Sequence, residues 1–193
     1  MSFDTQAINK QRQDLDELTD IWVFGYGSLI YKVDFDYLES QYGYIHGYAR
    51  RFWQGSHDHR GTPESPGRVL TLSPKKDEKC FGRVFKVTHD VFDHLDHREK
   101  NGYLRELIDV ELTSGEHIQA LVYIAAPENA AYLGAADEHA IAQHIFNAKG
   151  PSGRNRDYVY QLAAALRKHQ QVDPHVFAIE AALRQLEQIH QIY

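Results

Sequence analysis

The sequence predicts an α+β domain with a mixed or antiparallel sheet, and three observations point there. Runs rich in Val, Ile, Tyr, Phe and Trp, broken by Gly, Pro, Asp or Ser, dominate the chain to about residue 125. Stretches with apolar residues three and four apart dominate the remainder. Strands mostly first and helices mostly last favour segregated layers over a doubly wound parallel sheet, in which the two would alternate.

Taken in order, TQAINKQRQDLDELT spaces Ile8, Leu15 and Leu18 loosely as a helix, while its glutamine-rich composition suits a mobile arm. Residues 1–20 are therefore read as an N-terminal arm or helix ahead of one domain over 21–193. Strands are expected at 21–25, 43–54, 67–73, 79–87, 105–113 and 117–125. Helices are expected at about 88–100, 137–148, 155–169 and 174–190. Gly150 and Pro151 are expected to stop the second of these through a left-handed cap, and Pro174 to open the last. On that last helix Val176, Phe177, Ala182, Leu183, Leu186 and Ile189 read as core rather than interface.

A chain of 193 residues with 42% hydrophobic and 25% charged residues suits one domain with a sizeable core. No apolar run approaches the length of a membrane span, and residues 1–20 lack the apolar core of a signal peptide, so the expected compartment is the cytoplasm. A formal charge of −6 argues against nucleic acid, which needs a basic face, and favours a small-molecule partner. The single cysteine, Cys80, supports neither an internal disulfide nor a cysteine zinc cluster and reads as a packed small hydrophobe.

Two stretches carry candidate chemistry. After the apolar residues 21–24, Gly25-Tyr26-Gly27-Ser28 leaves backbone N–H groups unshielded, so a carboxylate or developing oxyanion has room to approach. A tight turn with a packed Tyr26 is the plainer alternative, since neither a dinucleotide, a P-loop nor a nucleophile-elbow pattern is completed. Further on, Thr88, Phe92, Leu95 and Glu99 are four, three and four residues apart, which sets Glu99 on the apolar stripe of a helix that Asn101 and Gly102 end. Asp90, Asp93, Asp96 and His97 are assigned to its wetter sides. Burial and the negative helix end both disfavour an ionised Glu99, which suits a proton acceptor; a salt bridge to Arg98, Lys100 or a more distant arginine is the structural alternative.

Other clusters read as structural. His94 and His97 with Asp93 have helical spacing for a metal, but no H-E-x-x-H or ligand-rich partner accompanies them, and no metal site is expected. In RRFWQGSHDHRG an ion pair with Asp58 is favoured over an arginine that grips a substrate carboxylate. In GPSGRN, Ser152 or Asn155 is expected to cap the following helix.

VFGYGSLIY at 23–31, RRFWQGSHDHRGTPESPGRV at 50–69, LDHREKNGY at 95–103 and IFNAKGPSGRN at 145–155 together resemble the ChaC family of glutathione-specific γ-glutamylcyclotransferases, over about residues 21–190. The resemblance implies a small barrel-like mixed sheet with flanking helices. It also implies cleavage of glutathione into 5-oxoproline and cysteinylglycine, with no cofactor. By the same resemblance Glu99 is the catalytic residue, and Gly25, Tyr26, Gly27, Ser28, Leu29, Ile30 and Tyr103 bind substrate. Three features depart from the family pattern: His97 where an aromatic residue is frequent, Asn101 where glycine is common, and residues 1–20 ahead of the usual start. A cyclotransferase for other γ-glutamyl amines or dipeptides, and a non-catalytic ligand-binding regulator, are the competing readings.

Overall fold

In a computed structural model, which describes residues 4–18 and 20–192, the apolar run ahead of the glycines forms β1 (Ile21–Gly25). With β2 (Glu39–Ser56), β3 (Gly67–Val87), β4 (Tyr103–Leu112) and β5 (His117–Ala125) it closes a barrel of order β1-β3-β2-β4-β5. β1 runs antiparallel to β3 and parallel to β5, where Val23 faces Leu121. β4 is antiparallel to both β2 and β5, so the sheet is mixed, and closure leaves it no edge.

The expected strands 67–73 and 79–87 are one strand. Side chains 74–79 are exposed, and Asp77 takes φ 64, a left-handed conformation that aspartate tolerates better than most residues. Polarity there marks a solvated stretch of strand rather than a break. Cys80 is buried within it, as expected of a small hydrophobe.

The contacts divide the chain into two compact units. One holds the chain up to Arg50 together with Leu72–Ala130, and so most of the barrel. Its core joins Val91, Phe92 and Leu95 of α2 (Val91–Arg98) to Ile21 and Val23 of β1, Phe85 and Val87 of β3, and Leu121, Tyr123 and Ala125 of β5. Fully burying a Leu, Val or Phe side chain of this kind stabilises by about 1.5–3 kcal/mol. The opening segment forms a short helix, α1 (Gln6–Asn9), and a 3-10 turn at Leu15–Glu17. Ile8 is exposed, whereas Leu15 and Leu18 pack against that core.

The other unit holds Arg51–Thr71 and the chain from Ala131 onward. Here α3 (Glu138–Asn147), α4 (Asn155–Lys168) and α5 (Pro174–Ile192) bury Ile141, Ile145, Leu162, Leu166, Ile179 and Leu183. Pro174 opens α5, and Val176, Ala182 and Leu183 are core, while Ile189 is exposed. α3 does not end on a left-handed glycine: Ala148 caps it in an extended conformation. Gly150 lies in the short β6 (Lys149–Gly150), paired with β7 (Gly153–Arg154), and a Cβ on it would stand 2.6 Å from the Gly61 nitrogen. Close approach of two backbones, not helix capping, demands glycine there.

Neither Ser152 nor Asn155 caps α4. Asn155 is fully buried and accepts from the Arg68 N–H at 2.7 Å while its Nδ2 donates to the Arg68 carbonyl at 2.8 Å. Ser152 Oγ lies 3.3 Å from His59 Nδ1. In the same unit His175 Nε2 accepts from the Phe52 N–H at 3.1 Å, and its Nδ1 lies 3.0 Å from Glu138. Among the described residues no helix is long and apolar enough to cross a membrane.

Candidate active site

β1 hands Gly25 to a 3-10 turn, Ser28–Ile30, that folds back over the strand end. A Cβ on Gly25 would collide with the Leu29 Cβ and stand 2.9 Å from its Cδ1. The glycine is required by that fold-back, before any ligand is considered. Tyr26 is buried; its hydroxyl donates to the Tyr123 carbonyl at 2.7 Å, which is the packed tyrosine of the plainer reading. Its carbonyl accepts from Arg50 Nη1 at 2.7 Å, and Nη2 of the same buried guanidinium donates to the Phe81 carbonyl at 2.6 Å. Arg50 thus ties the loop to β3.

Leu29 and Ile30 are buried, and the Ile30 N–H is satisfied by the Gly27 carbonyl at 3.0 Å. That is the first bond of the turn, so the N–H groups of Ser28 and Leu29 precede it and point outside the turn's own bonding. These, with Ser28 Oγ, are the loop's polar offering.

α2 ends one residue before Glu99, whose own N–H still donates to the Leu95 carbonyl at 2.9 Å. The Glu99 side chain keeps 23% of its surface exposed, a half-buried position at the end of the apolar stripe. Arg98 organises what surrounds it. Its Nε lies 3.1 Å from Glu99 Oε1, its Nη1 donates to Asp34 Oδ1 at 2.6 Å, and its Nη2 donates to Ser28 Oγ at 2.8 Å. One planar fork therefore serves three groups, and the Glu99 carboxylate and the Ser28 hydroxyl are separated by a single guanidinium. The ion pair named as the structural alternative is present. A guanidinium at this distance stabilises an ionised carboxylate and opposes the effect of burial and of the helix end.

Helix α2 buries a second acid. Asp96, assigned to the wet side by sequence, is 2% exposed. The Tyr123 hydroxyl donates to its Oδ1 at 2.6 Å, and Arg105 Nε lies 3.6 Å from the same oxygen. Burial pushes the Asp96 carboxyl above its usual range, against the pull of Tyr123 and Arg105. Burial, the bond to Asp96 and the field of Asp96 and Glu99 push the Tyr123 phenol up as well. Since Asp96 stands four residues after Phe92, a stripe drawn one position wider includes it. Tyr123 accordingly holds both halves of the site: its carbonyl takes the loop's Tyr26, and its hydroxyl takes the helix that leads to Glu99.

Tyr103 is buried in the cluster that contains Leu29, Leu95 and Tyr123. His94 Nε2 lies 3.5 Å from Asp34. Asp58 lies 3.8 Å from His59, and Arg60 rests over the Tyr158 ring and donates to the Arg154 carbonyl. Sequence reasoning passed over Asp34 and Tyr123, for which no local pattern exists, and named Arg98 only as an ion-pair partner.

A profile of the family described as ChaC-like protein matches residues 21–186. Glutathione-specific γ-glutamylcyclotransferase 1 of Danio rerio is 45% identical over 175 residues, which are 86% of this chain and 89% of that protein. γ-Glutamylcyclotransferase 2-3 of Arabidopsis thaliana is 44% identical, covering 86% and 89% of the two chains. A crystal structure of the γ-glutamyl cyclotransferase specific to glutathione from yeast superposes with a TM-score of 0.80 at 30% identity, over 87% of this chain and 97% of that one. A more distant γ-glutamyl cyclotransferase structure, at 13% identity and a TM-score of 0.54, shares the fold.

Proposed function

The chain belongs to the ChaC-like protein family, and from that membership we propose that it cleaves glutathione to 5-oxoproline and cysteinylglycine, with Glu99 as the proton carrier. The observation that carries the site assignment is the Arg98 fork, whose Nη2 donates to Ser28 of the glycine loop and whose Nε lies 3.1 Å from Glu99, so that one guanidinium meets both.

The chemistry asks for little else. The α-amine of the substrate attacks its own γ-amide carbonyl carbon, forming the ring C–N bond; collapse of the tetrahedral adduct then breaks the bond to the cysteinyl nitrogen. At neutral pH that amine is mostly protonated, so a base must take a proton before attack and an acid must return one to the leaving nitrogen. Glu99 does both in turn. Its half-buried carboxylate, 3.1 Å from Arg98 Nε, is the acceptor. The N–H groups of Ser28 and Leu29 receive either the developing oxyanion or the substrate α-carboxylate, and fixed donors that meet an oxyanion typically lower the barrier by about 3–4 kcal/mol each. Nucleophile and electrophile belong to one molecule, so holding the γ-glutamyl arm bent does the work of bringing reactants together.

Mass spectrometry of glutathione incubated with the pure protein tests the reaction, and Glu99→Gln tests the residue. The expected products are 5-oxoproline and cysteinylglycine from the native chain and neither from the variant. Stoichiometric binding of glutathione without product identifies a regulator instead, and preferential turnover of γ-glutamylalanine identifies the broader cyclotransferase. Full turnover by a folded Glu99→Gln protein removes Glu99 from the mechanism.

A further inference from the structure

Ahead of the matched region 21–186, Lys10 and Asp16 pair with Asp93 and His89, while the hydrogen bonds of Thr5, Asn9 and Arg12 go to the stretch that follows Glu99. The Thr5 N–H donates to the Lys100 carbonyl at 2.9 Å, and its Oγ1 reaches the Tyr103 carbonyl at 2.8 Å. Asn9, with no exposed surface, donates through Nδ2 to the Tyr103 carbonyl at 3.0 Å and accepts from the Arg105 N–H at 2.9 Å. Arg12 Nε donates to the Arg105 carbonyl at 2.7 Å, and Asp4 bridges Asn101. Leu15 and Leu18 then anchor the segment on the barrel core.

We propose that residues 4–18 form a clasp that fixes the direction of the Glu99 side chain, with Thr5 and Asn9 as positioning residues. The inference rests on the reading that Glu99 carries the proton. Glu99 stands at a place where regular structure has stopped: its backbone, at φ −97 and ψ 15, is the helix cap, and three residues later Gly102 turns at φ 86. On the N-terminal side the residue is held by α2 through the Leu95 carbonyl. On the C-terminal side the Lys100 carbonyl accepts from Thr5 and from the Gly102 N–H, and the Tyr103 carbonyl accepts from Thr5 and Asn9. The clasp also reaches α2 itself, because the buried Arg105 donates through Nη2 to the Asn9 carbonyl while its Nε faces Asp96. A clasp that only covered the barrel would spread its bonds over several strands; these converge on residues 100–105.

Thr5→Val keeps the shape of the side chain and removes its hydroxyl, whereas Thr5→Ser keeps the donor. Asn9→Asp keeps the acceptor for Arg105 and removes the donor to Tyr103. Each full-length variant is assayed for 5-oxoproline release well below its own Tm, so that lost stability and lost positioning are read separately. Thr5→Val and Asn9→Asp are expected to lower kcat about 10- to 100-fold with KM for glutathione changed by less than about twofold, and Thr5→Ser to match the native chain. Native kcat in Thr5→Val, an equal loss in Thr5→Ser, or a loss confined to KM overturns the clasp; if one variant does not fold, the other decides. Glu99→Gln separates the two levels. Turnover by Glu99→Gln sinks the catalytic reading itself, whereas an inactive Glu99→Gln beside fully active Thr5→Val and Asn9→Asp sinks the clasp alone.

Discussion

Arg98 donates to the Ser28 hydroxyl at 2.8 Å, and this bond joins the helix that leads to Glu99 to the turn that ends β1. The two motifs lie far apart in sequence, and the same guanidinium that touches Ser28 also touches Glu99 and Asp34. The candidate site is therefore held by a planar fork whose geometry a lysine cannot copy.

Arg98→Lys is expected to lower kcat/KM for glutathione by roughly 10- to 100-fold, since one ammonium cannot serve Ser28, Asp34 and Glu99 together and a small misplacement of Glu99 is expensive in rate. Steady-state kinetics on the variant checks this. Unchanged kinetics would reduce the fork to a surface ion pair.

Tyr123→Phe leaves the Tyr26 bond intact, because that bond uses the main chain, and strips Asp96 of its hydroxyl donor. A buried carboxyl that loses a partner costs about 1–3 kcal/mol, to be read from the urea midpoint at constant m. Adding Asp96→Asn to Tyr123→Phe is expected to cost less than the sum of the single changes, as befits one network.

Gly25→Ala forces a methyl group into Leu29. Overpacking of this kind typically costs about 1–3 kcal/mol, and the turn has only the strand end to move away from. Loss of turnover with the barrel intact by circular dichroism is the expected outcome; native activity would show that the turn yields freely.

Burial holds His175 below its ordinary value of 6.5, with the Glu138 hydrogen bond working the other way. As pH falls through 6.5 the unfolded chain takes up this proton and the folded chain resists, so the stability contributed is complete above 6.5 and is lost as pH drops from there toward the folded value. Protonation at Nε2 would also break the bond from the Phe52 N–H. Thermal melts between pH 8 and 5, a range chosen to bracket the ordinary histidine value, are expected to show a fall in Tm at the acid end that is smaller in His175→Gln.

Helices 91–98, 138–147, 155–168 and 174–192 and strands 21–25 and 117–125 fall close to where periodicity sets them. Residues 67–87 do not, because a solvated stretch of strand looks like loop when only local polarity is read. The same limit explains Asp96. Its partners, Tyr123 and Arg105, come from β5 and β4, and no local spacing announces that a carboxyl will be met by them.

What the sequence determined by itself was the kind of elements, the two motifs that flank the candidate site and the family to which they belong, since apolar period and short-range turn chemistry are properties of neighbours along the chain. What only the tertiary structure decided was which groups share an electrostatic neighbourhood. Arg98 meets Ser28, Tyr123 meets both Asp96 and Tyr26, and Thr5 and Asn9 meet the residues after Glu99. Such partnerships depend on barrel closure bringing distant backbones to hydrogen-bonding distance, and over so short a range a hydrogen bond is made or lost by where the whole chain runs.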